Sequence, residues 1–180
     1  MSQIIFDNMR LETERLTIRR MEEKDAENLF AMVGNQQFCD EDGGYPAFRT
    51  MDERFLRMVK QFCGEQNRFA IAIKDTDAMI GILHMMKPLE ERAVSAVEIG
   101  YGIAPAFQRK GYGSEAVRAM VDYCHNDLKI EMVLAGAFAF NEKSQRMLEK
   151  LGFVREGMTR FACDHPRYGL TDMVNYYHVK

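Results

Sequence analysis

Bulky and small positions alternate between Ala96 and Ile103. Val97, Ile99, Tyr101 and Ile103 fall on one side, and Glu98, Gly100 and Gly102 on the other. A period of two predicts a strand. Here one face is apolar and the other is bare except for a carboxylate, a surface that lets a ligand or another backbone come close. Pro105 ends the run because it has no N–H for a ladder. Leu16 and Ile18 alternate with Thr17 and Arg19, so residues 15–21 are predicted as a first strand. Residues 25–33 carry Ala26, Leu29, Phe30 and Val33 at helical spacing, closed by Gly34. Residues 35–49 have no period and are predicted as loop, with an acidic turn at 40–46. Thr50-Met51-Asp52-Glu53 has the form of a capping box. The helix after it presents Phe55, Met58, Val59 and Phe62 and stops at Gly64.

Residues 69–74 and 79–86 are predicted as an antiparallel hairpin around Asp75-Thr76-Asp77, and residues 88–93 as a charged turn before the 96–103 strand. Residues 113–128 form a helical pattern with a stripe of Ala116, Val117, Met120, Val121, Cys124 and Leu128. His125 lies beside that stripe near the C-terminal end, where the helix dipole favours a cation. Residues 132–138 are apolar on both faces, as a central strand covered on both sides would be. Asn141 is placed to cap the next helix, whose core positions are Met147, Leu148 and Leu151. Gly152 and Phe153 form a Schellman ending, with Phe153 folding back on Leu148. Residues 153–161 and 172–178 are the last strands, around a turn at 164–169. The order is strand, two helices, three strands, helix, strand, helix, two strands. It predicts an α+β fold with a mixed sheet, in a single domain over residues 1–180.

Composition narrows the function classes. The 180 residues are 47% hydrophobic, enough for a core, and the net charge of −3 argues against a nucleic-acid binder. Cys39, Cys63, Cys124 and Cys163 are scattered with no Cys-x-x-Cys pair, which fits reduced thiols in a cytoplasmic protein. Asp7 and Arg10 interrupt the N-terminus, so no signal peptide is expected, and no run approaches the ~18 apolar residues of a membrane span. The fourteen methionines fill the core or line an adaptable substrate pocket.

The chemistry gathers after the 96–103 strand. Gln108-Arg109-Lys110-Gly111-Tyr112-Gly113 runs directly into a helical pattern. Two glycines free the loop to turn its N–H groups inward, the helix aims its positive end at the same spot, and Arg109 and Lys110 add two cations. Together these form a site for a pyrophosphate. Gly111 to Ala116 also satisfies the G-x-G-x-x-A dinucleotide pattern, but residues 105–110 separate it from its strand. The position roughly 20 residues on, Val133 to Gly136, holds no acid for a ribose. There is no Gly-x-Ser-x-Gly elbow and no zinc spacing, and the acidic 40–46 stretch lacks the alternating ligands of a calcium loop.

Gln-Arg-Lys-Gly-Tyr-Gly resembles the Gln/Arg-x-x-Gly-x-Gly/Ala motif of the GCN5-related N-acetyltransferase (GNAT) superfamily. Glu12-Thr13-Glu14-Arg15-Leu16, Asn141-Glu-Lys-Ser144 and Glu149-Lys-Leu-Gly-Phe153 are similar to the branch holding the ribosomal-protein alanine N-acetyltransferases. The resemblance implies the GNAT fold, in which the two central parallel strands splay and the pantetheine arm of acetyl-CoA inserts between them. Gly100 and Gly102 would then give that arm clearance. It implies acetyl-CoA as cosubstrate, held by Tyr101, Ile103, Gln108, Arg109, Lys110, Gly111, Tyr112, Gly113, Ser114, Asn141 and Ser144.

Acetyl transfer to an ammonium of pKa ~10 needs a base, and Glu98, on the open face, is the candidate. Its other reading is a strand carboxylate that bonds the sheet or a neighbouring loop. Many relatives carry a Tyr seven residues after the Asn to protonate the thiolate, but Leu148 stands there. Ser144 is the remaining catalytic candidate; it can also cap the first turn of its helix. The acidic 40–46 stretch is either a solvated loop or, by the resemblance, one that flanks the acceptor and attracts a cationic amine through the 40–42 carboxylates, and Asp164 and His165 lie on a loop that reaches toward it or only makes a turn. The implied partner is a small-molecule or peptide amine, with no nucleic acid and no membrane, and the protein a monomer or homodimer. The alternative is a non-catalytic acyl-CoA sensor, with Leu148 as its support.

Overall fold

The computed structural model describes residues 9–43 and 45–180; Asp7, named above, and Gly44 of the 40–46 stretch lie outside them. Eight strands make one sheet. They are β1 (Arg10–Glu12), β2 (Leu16–Arg20), β3 (Arg68–Ile73), β4 (Met79–Met86), β5 (Ala96–Ile103), β6 (Met132–Phe138), β7 (Val154–His165) and β8 (Gly169–Val179). The spatial order is β1-β2-β3-β4-β5-β6-β8-β7. Neighbours are antiparallel except β5 and β6, which run parallel. The helices are α1 (Ala26–Val33), α2 (Gln36–Asp42), α3 (Glu53–Gly64), α4 (Tyr112–Asn126) and α5 (Glu142–Lys150).

The sheet has a core on each face because its inner strands are apolar on both. Ile18, Phe69, Leu83, Ile99 and Val133 pack with Val117, Met120 and Val121 of α4 and Leu148 of α5. Ala70, Met79 and Ile82 pack on the other face with Leu29 of α1, Phe38 of α2, and Phe55 and Val59 of α3. The alternation of β5 sorts its own residues between these layers. Val97, Ile99 and Ile103 join the α4 side, and Glu98, Gly100 and Gly102 face the α2 side. Arg19, buried at the edge of the second layer, makes two 2.8 Å bonds to Asp25 and one of 2.7 Å to Asp77. A buried cation needs such full pairing to be tolerated.

Most of the sequence-predicted elements are present within a residue or two, and the differences have local causes. Residues 36–42 are helical, not loop. Asn35 caps them by accepting the Phe38 N–H at 3.1 Å, and seven residues are too few to show a period. The N-cap of α3 is Asp52, which accepts the Phe55 N–H at 3.0 Å; Thr50 only donates its hydroxyl to Asp52. The last hairpin reaches further than expected, so its turn shrinks to Pro166-Arg167-Tyr168. Irregularities at Arg155/Gly157 and Thr159/Cys163 break its alternation, and Phe161 in the second takes φ 52°. β1 is a three-residue edge, below the length at which a pattern is visible.

His125 does not serve the α4 dipole in solvent. Its ring is buried, with Nδ1 2.7 Å from the Ile130 carbonyl and Nε2 3.0 Å from Nδ1 of His178. The carbonyl can only accept, so Nδ1 of His125 carries a proton. Burial, and then His125, lowers the pKa of His178. The Schellman ending of α5 is present as expected. Phe153 N–H bonds the Leu148 carbonyl and Gly152 N–H the Glu149 carbonyl, both at 3.1 Å, with Gly152 at φ 90°.

Candidate active site

β5 and β6 pair from Ala96–Met132 to Ile99–Ala135 and no further, although β5 runs on to Ile103 and β6 to Phe138. Beyond Ile99 the strands part. The gap opens a cavity of about 980 Å³ that links the α4–α5 face of the sheet to its α2 face. Every residue named from the sequence as catalytic or coenzyme-binding lines it, except Lys110.

At one end lies the 108–114 loop. Gln108 donates its amide to the Ile103 carbonyl at 3.1 Å, which ties the loop to the end of β5. Arg109 and Gly111 take left-handed φ values of 62° and 84°, a backbone shape that gathers amides into an anion-binding concavity. α4 begins at once, and no side chain caps its first turn, so its amides and dipole point at the same place. The loop is held from behind by the 12–16 stretch. Glu115 accepts from the Thr13 hydroxyl at 2.5 Å, from Arg15 N–H at 2.9 Å and from Arg15 Nε at 2.7 Å. Arg15 also donates to the Lys110 carbonyl at 2.9 Å and lies 4.6 Å above the Tyr112 ring. Lys110 therefore contributes its backbone to the brace, and its ammonium lies over the Phe107 ring instead of in the cavity.

Asn141 caps α5 by accepting the Ser144 N–H at 3.2 Å. That places the Ser144 hydroxyl 2.8 Å from the Tyr101 hydroxyl, which reaches across from β5. Burial pushes the Tyr101 pKa up to about 12. Leu148 is fully buried in the core and lies off the cavity wall. A hydroxyl is nonetheless present beside Ser144, supplied by the central strand.

The other end is built from distant segments. Along the α2-side face of β5 stand Glu98, then Gly100 under His84 of β4, then Gly102 under Phe38 and Asp42 of α2. A Cβ on Gly100 would overlap the His84 ring, and one on Gly102 would lie 2.9 Å from Phe38 and 3.0 Å from Asp42 Oδ1. The clearance expected for a coenzyme arm is thus filled by the protein's own side chains. Burial raises the pKa of half-buried Glu98. Burial, aided by Arg68, lowers that of His84 to about 4, so its ring is neutral. Burial also raises the pKa of Asp42, against the 2.8 Å bond it accepts from the Tyr45 hydroxyl. Met86, Met158 and Met173 supply apolar wall.

Asp40, Asp164 and His165 do not line the cavity. The buried Asp40 carboxylate accepts from Gln36 and Arg167, both at 2.8 Å. His165 donates Nε2–H to the Asp40 carbonyl at 3.0 Å and accepts on Nδ1 from Arg167 N–H at 3.1 Å. Nε2 ties the last hairpin to α2, and Nδ1 is spent inside the hairpin's own turn. Asp164 is exposed on β7. Of the acidic 40–42 run, Glu41 and Asp42 reach the cavity. His84 over Gly100 and Tyr101's contact with Ser144 were not legible in the sequence, because each depends on a partner from another element.

Residues 15–154 match the family described as Acetyltransferase (GNAT) domain. The chain is 34% identical over 159 residues to a Bacillus subtilis (strain 168) protein named Uncharacterized N-acetyltransferase YoaA, covering 83% of this chain and 85% of that one. It is 26% identical over 162 residues to the [Ribosomal protein uS5]-alanine N-acetyltransferase of Escherichia coli (strain K12), covering 84% and 81%. A crystal structure of an acetyltransferase (GNAT family) from Bacillus anthracis superposes with a TM-score of 0.83 at 26% identity, over 95% of this chain and 98% of that one.

Proposed function

The chain belongs to the GNAT acetyltransferase family, and from that premise we propose that it transfers acetyl to a primary amine, either a protein N-terminal α-amine or a small-molecule amine. Acetyl transfer from acetyl-CoA to an amine is the activity the family carries. The observation that supports the finer reading is the cleft itself. A phosphate cradle at one end and a half-buried carboxylate at the other are joined through the parting of β5 and β6.

Acetyl-CoA supplies an acyl group that is already activated, so much of the rate can come from positioning. Its pyrophosphate fits the left-handed Gly111 loop and the uncapped start of α4, with Arg109 at the rim. Free backbone groups of β5 beyond Ile99 and the Asn141 cap would orient the pantetheine. Glu98 takes a proton from the acceptor ammonium, and the neutral amine then attacks the thioester carbonyl as its C–S bond breaks. Its raised pKa brings it nearer to that task. Tyr101 and Ser144, joined at 2.8 Å, hold a hydroxyl proton for the departing thiolate. The sensor reading finds no support among these relatives, each of which is named an acetyltransferase.

The test is thiol release from acetyl-CoA with peptides bearing a free N-terminus and with small amines, the acetylated products identified by mass. Release with at least one acceptor, lost when its amine is blocked, is expected. Stoichiometric binding of acetyl-CoA with no release on any acceptor would overturn the reading in favour of the sensor.

A further inference from the structure

We infer that the acceptor end admits an amine with no free carboxylate beside it, as in a peptide N-terminus or a polyamine, and rejects free amino acids. The inference rests on the acetyl-transfer reading above. It follows from the charges that face the chamber. Glu98 of β5, Asp42 of α2 and Glu90 of the 87–95 segment line it. Glu98 and Asp42 stand four residues apart along the β5 face, about 13 Å. An amine in the chamber meets carboxyl groups on more than one of its walls.

The cations of this end are already committed. The Arg92 guanidinium binds Glu156 of β7 through two parallel bonds of 2.6 and 2.9 Å. The Lys143 ammonium pairs with Glu41 at 3.1 Å. The His84 ring is neutral near pH 7. Arg109 belongs to the phosphate end, in the loop that begins α4. Among the described residues that line the acceptor end, every cation has its own carboxylate. A free amino acid carries its carboxylate one carbon from its amine. To present that amine to Glu98 it must bring a second negative charge into the same partly desolvated space, where the lining cations already hold carboxylates and Arg92 has only its buried Nε–H without a partner. Unpaired like charges in such a setting weaken binding by about a hundredfold. A peptide N-terminus replaces the carboxylate with an amide, and a polyamine has none. Met86, Met158, Met173 and Phe38 offer deformable apolar wall to whatever the amine is attached to.

The experiment compares leucine with leucinamide and phenylalanine with phenylalaninamide, each as kcat/KM per unprotonated amine so that the differing amine pKa values drop out. The amides are expected to exceed the acids by about a hundredfold. Equal values would overturn the inference and leave the acetyl-transfer reading standing. No turnover of any member, including a free-N-terminus peptide and spermidine, would overturn both. Glu156→Gln releases Arg92 at the chamber wall. It should narrow the acid–amide gap at least tenfold, mainly through a lower KM for the free acid, and a gap unchanged in a folded variant counts against the charge argument. The peptide and spermidine arms then separate the two sources, the larger kcat/KM naming the one used.

Discussion

The two ends of the cleft are built in opposite ways. The phosphate end comes from one contiguous loop and the first turn of α4, and its working groups are backbone amides set by φ angles and a helix start. The acceptor end draws on α2, β4, β5, the 87–95 segment and the last hairpin, and its working groups are side chains. A pyrophosphate offers the same oxygens to any backbone cradle, so a short motif suffices for the binding we propose there. An acceptor must be told from its competitors, and that takes side chains brought together from several elements. Even the bare face of β5 follows this division, since Gly100 and Gly102 make room for His84, Phe38 and Asp42.

The largest effect expected from breaking this contrast is at Glu98, on the acceptor side. Glu98→Gln should lower kcat by ~10²–10⁴ and leave acetyl-CoA affinity nearly unchanged. The low-pH limb of the rate profile should vanish with it. In the native protein that limb is expected to be shifted upward from an ordinary carboxylate's, because burial raises the Glu98 pKa. The same shift has a stability sign. Folded Glu98 keeps its proton to higher pH than the unfolded chain, so stability falls as pH climbs from the unfolded value through the folded one. Glu98→Gln removes that fall, and melts across the window should show a flatter pH dependence. A fully active variant with its pH limb intact would rule Glu98 out as the base.

A smaller change is expected from the phosphate side, and in affinity instead of turnover. Gly111 has φ 84°, and its Cβ would stand 3.2 Å from Arg15 Nη2. Gly111→Val strains the loop by roughly 1–3 kcal/mol and presses on the brace from β2. The dissociation constant for acetyl-CoA should rise about tenfold or more, with kcat at saturation changed little. Unchanged affinity, measured by titration calorimetry, would remove the pyrophosphate assignment.

The smallest effect distinguishes two adjacent cations. Arg109 lines the cavity, and Lys110 lies over Phe107. Arg109→Ala should weaken acetyl-CoA binding several-fold at low salt and less at high salt, about threefold to tenfold at most. Lys110→Ala should do less at either salt. Equal losses at both positions would show that net charge, not the position of the side chain, governs this end.

What the sequence determined by itself is whatever depends on neighbours along the chain. The alternation of β5, the stripe of α4, the Asn141 cap, the Schellman ending and the loop at Gly111 all rest on contacts within a few residues, and each is present. Where local signals were short or doubled, the reading failed. Seven residues of α2 show no period, and Thr50 and Asp52 offered competing caps. Tertiary structure alone decided which face of the sheet receives α2, that Arg15 braces the phosphate loop through Glu115, and that Tyr101 meets Ser144. It also decided that His165 is consumed by Asp40 while His84, with no motif around it, stands over the central strand. These pairings join residues on different elements, up to 125 positions apart. The identity of a side chain says that it can bond, and only the packing of the sheet says which partner comes within reach.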